Sequence, residues 1–229
     1  MKLNSESIRT FLTNNIYTRY LFRNWAFGAD PRSVQELSPS EFLKQTVQIF
    51  CLFLGTYILF NLFVSLFNLP YLEEYSRQMR EFYLQKKIAW SLYLMNSFPY
   101  SIFFLSGSLI LFQVYAAGSS YLALWVLGEK ERSFARILGI AFSSGLYVLL
   151  TFFPVLILFN ISPASIRTDV FQMVTFLSLN GILFFSGVIL QCFFYVRMCR
   201  VVFDQNYGRA ILTWLFPFFL FLLVIITNL

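Results

Sequence analysis

A knot of four charged residues, Glu129-Lys130-Glu131-Arg132, separates two apolar runs in this chain. The run before it reaches back to Tyr100, and the run after it continues to Asn160. Each exceeds the roughly 20 residues needed to cross a hydrocarbon core. In lipid every backbone N–H and C=O must find its partner within the protein, so a spanning run of this kind is confined to a helix. The pattern predicts a helical hairpin through a membrane, closed by a tight polar turn. Other long apolar runs can be placed around that pair.

Composition supports the same class. Hydrophobic residues make up 58% of the 229, and charged residues only 12%, against about 25% charged in an ordinary soluble domain. The 30 phenylalanines exceed the needs of a small core and suit lipid-facing surface. The expected fold is all-α and integral to the membrane: a bundle of five transmembrane helices with one interfacial amphipathic helix. Residues 1–43 form a polar to amphipathic N-terminal cytoplasmic segment, and 44–229 a single transmembrane domain. Its spans are expected at about 45–69, 100–127, 134–160, 170–199 and 209–228.

In the N-terminal segment, Ile8, Phe11 and Leu12 have helical spacing with Arg9, Arg19 and Arg23 nearby. This fits a helix on the membrane surface and equally a loosely ordered tail. Ala29-Asp30-Pro31-Arg32 breaks any helix there, and Ser38-Pro39-Ser40-Glu41 reads as a fresh helix N-terminus. From 72 to 94, Leu72, Tyr75, Met79, Phe82 and Tyr83 recur at helical spacing among charges, which predicts the interfacial helix. Ser162-Pro163-Ala164-Ser165 reads as a short turn, Pro154 as the place where the third span bends, and Gly208 as a helix stop.

Orientation follows from the basic residues, which favour the cytoplasmic side. With the N-terminus inside, twelve of the 17 lysines and arginines fall on inside segments. The five others are Arg77, Arg80, Lys86, Lys87 and Arg167. Five spans then leave the C-terminus outside. A net charge of +6 fits anionic lipid better than nucleic acid, because the basic residues flank apolar spans.

The chain has no histidine, which excludes histidine-ligated metals and haem and every histidine-based triad. Cys51, Cys192 and Cys199 lie in apolar runs without a CxxC pair, so neither a disulfide framework nor a zinc site is indicated. No ionisable residue lies near the centre of a span, where proton-coupled carriers place theirs. Gln48, Asn61, Gln113, Gln172, Asn180 and Gln191 read as interhelical hydrogen-bond partners more readily than as substrate contacts. Neither GxSxG nor a nucleotide-binding glycine loop occurs, and Ser143-Ser144-Gly145 has no base beside it. Neither an enzyme nor a cofactor is expected.

Several short motifs resemble the Yip family, five-span membrane proteins named for interaction with Ypt/Rab GTPases. The family places a glycine-containing turn before Ser-Phe and then a helix that begins with an Ala-Tyr-Ser-Ser-like stretch. Here Gly128, Ser133-Phe134 and Ala141-Phe142-Ser143-Ser144 occupy those places. Gly208-Arg209-Ala210 before the last apolar run resembles the family's closing element, and Asp30-Pro31-Arg32 its entry segment. The family's proline after the serine pair is replaced by Gly145-Leu146, with Pro154 the nearest. The resemblance implies a non-enzymatic protein of membrane organisation or trafficking, acting through a protein partner or as a homo-oligomer. The eukaryotic branch's cytoplasmic signature is missing, so a bacterial cytoplasmic membrane is the expected home and Rab binding is not carried over. The alternative is a permease-like subunit energised by a separate ATPase, with the turn 129–132 as its coupling contact; otherwise that turn is a solvated loop.

Overall fold

The computed structural model describes residues 15–161 and 169–227. The expected surface segment around Ile8, Phe11 and Leu12, the turn at Ser162-Pro163-Ala164-Ser165 and Arg167 lie outside the described residues. All regular structure among the described residues is helical: α1 Ile16–Ala29, α2 Arg32–Glu36, α3 Pro39–Ser65, α4 Leu69–Leu84, α5 Trp90–Asn96, α6 Tyr100–Val126, α7 Phe134–Ile161, α8 Val170–Val202 and α9 Tyr207–Thr227. Among the described residues, five helical stretches are long and apolar enough to cross a membrane. Four are α6, α7, α8 and α9, and the fifth runs from α3 through a 3₁₀ turn at Leu66–Asn68 into α4.

The local sequence accounts for most ends. Asn15 caps α1 by accepting from the Tyr17 amide at 2.9 Å, and Ser38 opens α3 by accepting from the Glu41 amide at 3.2 Å. Both use a short polar side chain to satisfy an amide that has no partner within its helix. The first long helix thus begins at Pro39, six residues ahead of the expected span, because Ser38 caps it and Pro39 suits the first turn. Pro70 sits in the first turn of α4. The single interfacial helix expected over 72–94 is in fact two helices, α4 and α5. Between them Lys86 takes a left-handed conformation, φ 56°, which no helix can propagate.

The chain divides into two compact units: Met1–Phe53 with Gln113–Tyr147 and Val188–Leu229, and Leu54–Phe112 with Val148–Gly187. In the first unit α1 is packed onto the long helices rather than left as a loose tail. Phe27 and Val34 are buried, the Trp25 ring meets Phe194 at 4.9 Å and Tyr147 at 6.4 Å, and Tyr147 stacks on Phe194 at 4.6 Å. Gln35 donates to the Val201 carbonyl at 2.6 Å. In the second unit Tyr57 meets Phe153 edge-on at 5.6 Å, and Phe159 meets Phe176 at 5.1 Å. There Asn68 donates to Asn160 at 2.6 Å. The helix α7 runs unbroken through Pro154, although a proline removes one backbone hydrogen bond.

Candidate functional site

Two helices of the first unit end in the same way. Beyond α6, Gly128 adopts φ +72°, its amide donates to the Trp125 carbonyl at 3.1 Å, and the Glu129 amide reaches back to Leu124 at 3.0 Å. Beyond α8, Asp204 adopts φ 51° and the Gln205 amide reaches back to Arg200 at 3.1 Å. In both cases one left-handed residue lets the next amide satisfy a carbonyl that the helix leaves open. That geometry turns the following side chain inward, and the two side chains meet. Gln205 donates from Nε2 to Glu129 Oε1 at 3.2 Å.

A small network grows around this pair. Arg209 Nη1 lies 3.3 Å from Glu129 Oε1, and Gln205 Nε2 is 3.1 Å from Thr213 Oγ1. Thr213 also donates back to the Arg209 carbonyl at 2.9 Å. Ser120 Oγ donates to the Thr213 carbonyl at 3.0 Å, which ties α6 to α9. Glu129 is 7% exposed and Gln205 4%, so the carboxylate is held away from water by Gln205 in the turn before α9 and by Arg209 on α9. A buried carboxylate is tolerated only when paired and hydrogen-bonded, and here it is both.

The reading of 129–132 as a solvated loop is therefore corrected at Glu129. Only Lys130, Glu131 and Arg132 are exposed. The reading of Gly208 as a helix stop is corrected as well. It lies in the first turn of α9, because the Asn206 side chain accepts from the Arg209 amide at 2.9 Å and caps the helix two residues earlier. The left-handed residue of that turn is Asp204.

The remaining motif residues fall as follows. Ser133 accepts from the Arg136 amide at 3.4 Å at the start of α7, and the Phe134 ring meets Tyr121 edge-on at 5.8 Å. Ser143 and Asn24 bond twice: Ser143 Oγ donates to Asn24 Oδ1 at 2.8 Å, and Asn24 Nδ2 donates to the Ser143 carbonyl at 3.0 Å. Ser144 donates to the Ile140 carbonyl at 2.8 Å. Both serine hydroxyls thus point at structural acceptors. Ala210 is fully buried, and Pro154 belongs to the second unit. The structure brings the Gly128 turn to Arg209 through Glu129, and ties Ser143 to α1.

Sequence reasoning missed Asn24, Gln205 and Thr213. Asn206 three residues before Arg209 was the available signal for the α9 cap; nothing local marked Asn24 or Gln205. Of the cysteines, Cys199 is buried, Cys192 half-buried and Cys51 exposed. Among the described residues no three His, Cys, Asp or Glu side chains gather as metal ligands. No family model, curated protein or solved structure matches the chain.

Proposed function

We propose that this multi-pass chain is a non-enzymatic membrane protein of Yip type. It acts in membrane organisation or trafficking through a protein partner or a second copy of itself. It resides in a bacterial cytoplasmic membrane, with its N-terminus on the cytoplasmic side and its C-terminus on the outer side. The observation that carries the reading is the network just described. Two motifs resembling the family, the Gly128 turn and Gly208-Arg209-Ala210, are 80 residues apart, yet Glu129 and Arg209 pair directly. The orientation is supported by the twelve basic residues assigned to inside segments.

The permease-like alternative draws on one feature. Lys130, Glu131 and Arg132 project from a turn whose base is fixed by Glu129, which is a suitable knob for a partner. Crosslinking in intact membranes, followed by mild solubilisation and identification of stoichiometric partners, separates the two. Self-association or other membrane proteins are the expected result. A co-purifying ATPase overturns the reading and makes the chain a transporter subunit.

A further inference from the structure

A groove of about 380 Å³ lies in the first unit at the junction of α8 and α9. Phe193, Val196, Arg197 and Arg200 line it from α8, and Tyr207 and Ile211 from α9. The α8 residues stand at i, i+3, i+4 and i+7, one face of a helix, and those of α9 at i and i+4. The groove therefore has an order: apolar side chains first along α8, guanidiniums in its last two turns. We propose that it binds the headgroup of an anionic phospholipid, with the phosphate on Arg197 and Arg200 and the acyl chain along Phe193, Val196 and Ile211.

Helix length places the arginines at headgroup depth. The 33 residues of α8 extend about 50 Å at 1.5 Å per residue, about 20 Å more than a hydrocarbon core of about 30 Å. A helix of that length reaches beyond the apolar layer, and Arg197 and Arg200 mark the final turns as the end that does so, since arginine and tyrosine are at home there.

Among the described residues the guanidiniums of the groove have no carboxylate partner. No carboxylate lines it, and the ion pairs among the described residues are Arg77 with Glu74 and Arg209 with Glu129. Arg197 gives one Nη2 to the Ala29 carbonyl, which orients the guanidinium and leaves its other donors. The Arg200 guanidinium carbon lies 3.3 Å from the centroid of the Tyr207 ring, and its Nε is buried without an acceptor. A buried donor without a partner is unfavourable, so this guanidinium has an unmet demand for an acceptor. Two neighbouring guanidiniums suit phosphate because each offers parallel N–H donors. A basic pocket between helices at the membrane face is a recurrent site for anionic headgroups.

A soluble phosphate ester shares the headgroup's chemistry but has no use for the apolar wall. Phe193 is 56% and Ile211 41% exposed, surface that an acyl chain would cover. This inference goes beyond the partner reading and requires only that the chain reside in a membrane.

The test uses the full chain in mild detergent and native mass spectrometry, titrated with phosphatidylglycerol, phosphatidylcholine or sn-glycerol 3-phosphate. Phosphatidylglycerol is expected to be retained at least tenfold more than phosphatidylcholine. R197Q/R200Q should lower that retention tenfold or more, and so should I211W, which keeps both guanidiniums but fills the apolar wall. K86Q/K87Q, in the second unit, should leave it unchanged. If R197Q/R200Q does not fold, I211W decides alone. Equal retention of the two lipids, or unchanged retention in I211W, overturns the proposal. Displacement by equimolar sn-glycerol 3-phosphate overturns its lipid part and leaves a phosphate-ester site.

Discussion

At Gly28, Gly139 and Gly145, all in the first unit, an added methyl would fall within 2.1–2.6 Å of a neighbouring side chain. At Gly55, Gly107 and Gly181, all in the second, it would meet nothing within 4 Å, as at Gly118 in the first, but no glycine described in the second unit is tight. Burial divides the same way. Of the buried apolar side chains among the described residues, only Leu54, Tyr57, Ile102 and Leu149 belong to the second unit. The contrast shows how similar apolar helices can be used for two purposes. Lipid is as apolar as leucine, so hydrophobicity does not press helices together in a membrane. Close backbone approach and interhelical hydrogen bonds do. The first unit has both. The second presents Phe63, Ile182 and Phe185, each more than half exposed, as surface for lipid.

The largest test of this contrast is Gly28→Ala. Its new methyl would meet Phe194 Cδ1 at 2.1 Å and Cε1 at 2.7 Å, on a ring held by Trp25 and Tyr147. Overpacking of this kind costs about 1–3 kcal/mol, read as a lower unfolding temperature in detergent. Gly107→Ala, with open space around it, should be neutral or slightly stabilising, since alanine favours a helix by about 0.5–1 kcal/mol over glycine. Equal losses at both positions would erase the distinction between the units.

Next in size are the buried polar pairs. Asn24→Ala takes away the acceptor of the buried Ser143 hydroxyl, and Glu129→Ala the charged acceptor shared by Gln205 and Arg209, each at roughly 1–3 kcal/mol. Glu131→Ala, on the exposed part of the same turn, should change stability by less than about 0.5 kcal/mol. A thermal shift series on the three variants checks the order. If Glu131 matters as much as Glu129, the turn is held by something other than the network.

The second unit should respond more weakly than these buried pairs. Asn68→Ala removes one half-buried bond, about 0.5–1.5 kcal/mol, and Phe185→Leu should be nearly silent in the same assay because lipid packs against either side chain. A large loss from Phe185→Leu would mean that this surface meets protein instead.

The spans were legible because a run of apolar residues long enough to cross a membrane is a local property of the chain. The cap at Ser38 was legible for the same reason. Glu129 was not, since Gly-Glu-Lys-Glu-Arg reads locally as a polar loop. Its burial depends on Gln205 and Arg209, 76 and 80 residues away. Asn24 is similar: its partner Ser143 lies 119 residues on, and the surrounding segment reads equally as a surface helix or a tail. The break between α4 and α5 escaped notice because Gln85-Lys86-Lys87 continues a plausible polar face. Only the positive φ of Lys86 ends the helix.

The three tight glycines also imply an uneven pace of evolution. A position such as Gly28 admits almost no replacement, whereas Gly107 or Phe185 admits many, so mutations should accumulate faster in the second unit. Diverging copies of this protein would keep short islands around the close helix contacts and lose alignment between them. Searches seeded on those islands in three dimensions, rather than on the whole chain, would trace its ancestry furthest.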